Sequence, residues 1–147
     1  MIQIRQAIES DAAEAISTLR RSITELCTAD HQNDPTEIEN WLGNKTFEGW
    51  SKWIRRDDAV VLVAERDGMI IGVGMAILSG DILLNYVHPA ARFGGVSKAI
   101  LAALEETLRA RGVHCCRLQS TITARSFYES CGFKSEGNDT LMLAKSL

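Results

Sequence analysis

Residues 82–106 read ILLNYVHPAARFGGVSKAILAALEE, and this passage constrains the fold more than any other. An apolar run stops at His88-Pro89, and a loop with Arg92, Gly94 and Gly95 follows. Val96, Ile100, Leu101, Ala103, Leu104 and Leu108 then recur at helical spacing up to Gly112. A strand that enters a helix through a glycine loop places unpaired amide groups and the positive end of a helix dipole side by side, which suits an anion. Arg92 and Lys98 add positive charge. A plain connecting loop would need only the glycines, so the loop alone leaves both readings open. The nucleotide-binding alternatives do not fit: the P-loop ends in G-K-[ST], and the dinucleotide fingerprint is G-x-G-x-x-G.

The rest of the chain supplies the other layers. Ile2, Ile4 and Ala7 alternate with polar residues as in a strand, and Asp11 with Glu14 has the form of a capping box opening a helix that carries Ile16, Leu19, Ile23, Leu26 and Cys27. A polar break, TADHQND, leads to a short helix capped by Asp34 with Pro35 at its first position, and Phe47, Trp50, Trp53 and Ile54 share one face of another. From residue 59 the period changes. AVVLVAER, Asp67-Gly68 and MIIGVGMAIL form a hairpin, and Ser79-Gly80-Asp81 turns into the strand ILLNYV. Val113 to Gln119 reads as a strand, ARSFYES as a short helix ended by Gly132, and TLMLA as the last strand. The expected class is α+β, one domain over 1–147, with a mostly antiparallel front half and a β-α-β-α back half.

A chain of 147 residues, 46% hydrophobic, is the size of one domain with a sizeable core. Its formal net charge of −3 gives no global field for nucleic acid. No apolar run approaches the roughly 18 residues of a membrane span, and MIQIRQAIES lacks the order of a signal peptide, so a cytoplasmic protein with neither nucleic-acid nor membrane partner is expected. Cys27, Cys115, Cys116 and Cys131 have no metal-ligand spacing and read as buried apolar thiols, with no metal expected.

Two motifs carry a resemblance. Val87-His88-Pro89 followed by Arg92-Phe93-Gly94-Gly95-Val96-Ser97 resembles motif A of the GCN5-related N-acetyltransferases, Q/R-x-x-G-x-G/A after a strand ending V-x-P. Ala124-Arg125-Ser126-Phe127-Tyr128-Glu129-Ser130-Cys131-Gly132-Phe133 resembles that family's A-x-x-F-Y-x-x-x-G-F. The order of elements before motif A is also similar, so the resemblance covers almost the whole chain. It departs at Ser97, where the family has glycine or alanine, and at Thr121, where it has asparagine. A serine keeps its backbone N–H and its hydroxyl can donate to a phosphate, so binding is expected to survive.

The resemblance implies the family's acyl-CoA N-acyltransferase fold, a central mixed, mostly antiparallel sheet flanked by helices, and acetyl-CoA as co-substrate in a cleft where two strands splay. The pyrophosphate would rest on Arg92, Phe93, Gly94, Gly95, Val96, Ser97 and Lys98, with Thr121 nearby, and the pantetheine arm would pair with the backbone of Asn85, Tyr86 and Val87. Transfer would be direct to an amine of a small molecule or peptide, with Tyr128 protonating the leaving thiolate. Asn85 and the segment holding Asp30, His31, Asn33 and Asp34 beside Trp41 would face the acceptor, and the acids there suggest a cationic one. His31 has the titration range of a base, or is a solvated loop residue. A Cys27–His31 nucleophilic pair is disfavoured because Cys27 continues an apolar stripe. Two other outcomes fit the same motifs: a CoA-binding sensor without turnover, and a transferase for longer acyl groups. The family's last strands often pair between subunits, so a homodimer is expected.

Overall fold

The computed structural model describes residues 1–147 apart from the side chains of Asp139 and Thr140. Its chain order is β1 (Gln3–Gln6), α1 (Ala12–Leu26), α2 (Thr28–His31), α3 (Pro35–Leu42), α4 (Phe47–Ile54), β2 (Ala59–Arg66), β3 (Met69–Ile77), β4 (Ile82–Val87), α5 (Val96–Ala110), β5 (Cys115–Gln119), α6 (Arg125–Ser130), β6 (Lys134–Glu136) and β7 (Asp139–Ser146). The strands form two antiparallel sheets, β1-β2-β3-β4 and β5-β7-β6. One parallel bridge, Asp81 to Arg117, joins β4 to β5.

Because helices cover both faces of the larger sheet, β2 and β3 read as near-continuous apolar runs whose alternate residues feed two cores. Leu62, Ala64 and Ile71 pack with Ile100, Leu104 and Leu108 of α5, and this core continues through Cys116, Leu118 and Leu143 of the second sheet to Tyr128 and Phe133. Val61, Val63, Val73 and Met75 face the other way, onto Ile16 and Leu19 of α1 and the fully buried Trp50 of α4. Each buried Leu or Ile contributes about 1.5–3 kcal/mol. α5 thus spans both sheets, which fixes its N-terminus at their junction. Two glycines of β3 let it approach: a Cβ at Gly74 would stand 2.3 Å from Ile100 Cγ2, and one at Gly72 would stand 2.7 Å from Ile100 Cδ1.

The structure corrects several local expectations. Asp11 and Glu14 do not form a capping box. The Asp11 carboxylate accepts from Ile8 N and is ion-paired to Arg5, while Glu14 Oε2 accepts from Ile70 N at 3.0 Å. Long-range partners outcompete the local cap, and Asp11 thereby ties the end of β1 to the start of α1. The TADHQND break contains a helical turn, α2, which ends in left-handed backbone at Gln32 and Asn33. The strand β6 (KSE) carries no apolar residue, so periodicity gave no sign of it; it pairs antiparallel with β7. Cys27 and Cys116 are buried, but Cys115 is exposed because adjacent strand residues point to opposite faces.

Asp34 does cap α3, accepting from Thr36 N at 2.9 Å. Among the described residues no helix is long and apolar enough to cross a membrane.

Candidate active site

Where the sheets part, a cavity of about 420 Å³ opens between β4 and β5. The strands are held at their N-terminal ends by the Asp81–Arg117 bridge and a 3.5 Å ion pair between the same residues. Beyond it, no strand pairing joins them among the described residues. β4 follows β3 in register up to a bulge at Leu83, since Met75 pairs with Leu84 and Ala76 with Ile82. An edge strand of this kind keeps alternate backbone N–H and C=O groups free for an added extended segment.

The N-terminus of α5 closes one end of this cavity. Gly95 is its N-cap at φ 80°, a conformation that costs glycine little, and Phe93 is also left-handed at φ 67°. Turns of this class present successive N–H groups as anion-binding concavities. Among the described hydrogen bonds, the amides of Phe93 to Lys98 have no acceptor, and the first that does is Ala99, on Gly95 O at 3.0 Å. The Arg92 guanidinium lies 4.6 Å over the ring of Phe93, which is 91% exposed, and Lys98 is exposed nearby. The motif-A residues are therefore brought together, and among the described residues the amides of Phe93 to Lys98 have no acceptor and Arg92 and Lys98 no ion pair.

Ser97 behaves differently from the expectation for its hydroxyl. Ser97 Oγ donates to Asn85 Oδ1 at 3.1 Å, and Asn85 Nδ2 donates to Ser97 O at 3.3 Å. This reciprocal pair stitches β4 to the first turn of α5. Asn85 is thus a brace for the loop, and only the backbone N–H of Ser97 is left for an anion.

Tyr128 lies at the junction of the two sheets. Its ring packs edge-on to Phe127 and Phe133, with centroids at 5.1 and 5.7 Å, and the residue is buried but lines the cavity. Burial holds its phenol well above the ordinary tyrosine range, opposed in part by hydrogen bonding to Asn85, so it carries its proton at neutral pH. Tyr86, on the opposite face of β4 from Asn85, is pushed by burial up to about 12. Its hydroxyl accepts from Trp41 Nε1 at 3.3 Å. That contact sets Trp41, expected beside the acceptor segment, against Tyr86, which itself lines the cavity.

Of the expected acceptor residues, Asn85 lines the cavity and Asp30 and His31 do not. His31 is 2% exposed and holds the C-terminal end of α1: Nε2 lies 2.8 Å from Ile23 O, and Nδ1 accepts from Asn33 N at 3.0 Å. With both nitrogens engaged it is neither the free base nor the solvated loop residue expected. Asp30 binds the loop before α6, with Oδ1 accepting from Ile122 N at 2.6 Å and Oδ2 from Thr123 Oγ1 at 2.9 Å. Thr121 lines the cavity, but its hydroxyl accepts from Ala124 N and caps that loop. None of the lining residues is Asp, Glu or His. Cys27 does line the cavity, yet burial pushes its thiol up to about 11, which removes the nucleophilic pair with His31.

Comparison with known proteins bears on the family and the fold. A family model described as an acetyltransferase (GNAT) domain matches residues 28–142. An IAA acetyltransferase of Azospirillum brasilense is 27% identical over 92 residues, 57% of this chain, so the match spans only 60% of that enzyme's length. The PaiA N-acetyltransferase of Thermoplasma acidophilum, solved in complex with coenzyme A, superposes with a TM-score of 0.86 at 24% identity, covering 100% of this chain and 99% of that one. A ribosomal-protein-alanine N-acetyltransferase of Brucella melitensis superposes at 0.66 with 26% identity over 99% of both chains. The chain belongs to the GNAT acetyltransferase domain family.

Proposed function

We propose that the protein binds acetyl-CoA in the cleft between β4 and β5 and transfers its acetyl group directly to a primary amine of a small molecule or peptide. One observation carries this reading: the open amides of Phe93–Lys98 and the protonated phenol of Tyr128 border the same cavity, at the parting of two sheets. The loop suits a pyrophosphate, with Arg92 and Lys98 adding charge. The free edge of β4 at Asn85–Val87 suits the extended pantetheine arm. A neutral amine forms the new C–N bond at the thioester carbonyl, the C–S bond breaks, the Tyr128 hydroxyl gives its proton to the departing thiolate sulfur, and the proton shed by the newly acylated nitrogen returns through solvent to the Tyr128 oxygen.

With no carboxylate or imidazole lining the cavity, the ammonium form of the acceptor loses its proton to solvent, and kcat/KM rises with pH toward the acceptor's own pKa. That same lack of a base favours a second reading, a module that binds CoA without turnover. Thiol release from acetyl-CoA over a panel of primary amines separates the two. Amine-dependent release supports transfer, whereas CoA binding without release from any amine supports the sensor.

A further inference from the structure

Arg66 is the last residue of β2, and strand alternation puts it on the face that carries Leu62 and Ala64, both packed in the core beneath α5. The register places it at the end of the sheet where β4 stops. Ala64 pairs with Gly72 and Gly72 with Val87, and Arg66 lies two residues beyond, opposite Met69. His88 N donates to Ile71 O at 2.8 Å, so the loop that follows β4 starts against this hairpin. The guanidinium of Arg66 reaches that loop. Its Nη1 lies 3.8 Å from where a Cβ on Gly94 would stand, which by covalent geometry sets it within about 6 Å of the Gly94 amide nitrogen. That amide is one of those with no acceptor among the described hydrogen bonds.

Arg66 is half-buried, and among the described residues its guanidinium has no hydrogen-bond or ion-pair partner. The acids around the hairpin do not supply one: Glu65 pairs with Arg5 on the other face, Glu14 accepts from Ile70 N, and Asp67 is exposed in the turn. A cation that gives up part of its hydration without a counter-ion in the protein is placed for an anion from outside. We infer that Arg66, supplied by the β2–β3 hairpin, is a further cationic ligand of the CoA phosphates beside Arg92 and Lys98. The inference rests on the acyl-CoA reading above and adds a residue outside the loop motif. A guanidinium donates two parallel N–H groups to phosphate oxygens, so Arg66 and the Gly94 amide hold one anion from two separate elements.

The test is calorimetry of CoA and of 3′-dephospho-CoA with wild type, Arg66→Gln, Arg66→Lys and Arg111→Gln, beside the Tm of each protein without ligand. Arg111 is a second exposed arginine without a side-chain partner among the described residues. It sits at the far end of α5, about 22 Å along the helix from Gly95, and so controls for net charge. The expected result is CoA affinity lowered about tenfold in Arg66→Gln, less in Arg66→Lys and within about twofold of wild type in Arg111→Gln. The ligand-free Tm of Arg66→Gln stays within about 2 °C of wild type, because no protein partner is lost. An equal loss with 3′-dephospho-CoA assigns the contact to the pyrophosphate, and a loss confined to CoA assigns it to the 3′-phosphate. Three results would overturn the inference: CoA affinity in Arg66→Gln within about twofold of wild type, an equal loss in Arg111→Gln, or a loss accompanied by a clear fall in the ligand-free Tm. Failure of the wild-type protein to bind CoA would instead overturn the acyl-CoA reading itself.

Discussion

Tyr128→Phe removes one oxygen from the junction of the sheets and nothing else. The ring keeps its edge-on contacts with Phe127 and Phe133 at 5.1 and 5.7 Å, so the buried apolar area is preserved. Asn85, which loses its contact with the phenol, is still held by two hydrogen bonds to Ser97 and is not orphaned. The stability loss is therefore about 1 kcal/mol or less, a fall in Tm of about 2–4 °C at this chain length. Proton transfer from a positioned acid contributes about 10²–10⁴-fold, so kcat falls by that factor, equivalent to about 2.7–5.4 kcal/mol in the barrier. Affinity for CoA, set by the loop and the β4 edge, stays within about twofold. Because burial raises the wild-type phenol, its ionisation produces no downturn in kcat up to a pH of about 10. Thiol release at saturating acetyl-CoA and amine, beside calorimetry with CoA, reads both quantities. A kcat within about threefold of wild type would refute the assignment of Tyr128 as the acid.

Other perturbations test the frame. Gly74→Val drives a side chain into Ile100 and Leu104 of α5, so it destabilises by about 1–3 kcal/mol in denaturant titration and weakens CoA binding by displacing the loop that α5 carries. Arg5 holds the Asp11 carboxyl below the usual aspartate range through its hydrogen bonds, so the pair stabilises the fold above a pH of about 4 and this contribution is lost as pH falls through the depressed folded pKa. Asp11→Asn should therefore lower stability at pH 7, and the deficit should shrink on acidification toward pH of about 2, as followed by circular dichroism. Iodoacetamide with peptide mapping should label the exposed Cys115 well before Cys27, whose thiol is buried and raised to about 11. Equal rates would show that α1 does not seal its end of the cleft.

Periodicity and local chemistry made much of this fold legible. The switch from helical to alternating spacing at residue 59, the Asp67-Gly68 turn and the strand, loop and helix of residues 82–110 are short-range features, and the structure places them as read. The two motifs, about thirty residues apart, meet because α5 bridges the sheets. What sequence reading missed depends on partners far along the chain. Asp30 meets Ile122, 92 positions away, and Glu14 meets Ile70, 56 positions away. Polar side chains with such partners look the same in sequence as caps or substrate ligands. His31 was misread for a related reason: its contacts are local, but they use a left-handed turn at Gln32 and Asn33 that no glycine announced. Ser97 and Asn85, considered one at a time, each invited a side-chain ligand role, whereas their side chains bond each other and leave only their backbone groups to a ligand.

The measurement that bears most directly on the central claim is calorimetric titration of acetyl-CoA and CoA into wild-type protein and into Arg92→Glu/Gly95→Glu. The variant sets two carboxylates among the amides of Phe93–Lys98, where they repel phosphate oxygens, and Gly95 also carries a left-handed φ of 80° that glutamate tolerates poorly. Saturable binding by wild type, with affinity lowered by at least about a hundredfold in a variant that still unfolds cooperatively, is the predicted result. Absence of binding by the wild-type protein, or equal affinity in the variant, would contradict the assignment of this loop and cleft to acetyl-CoA.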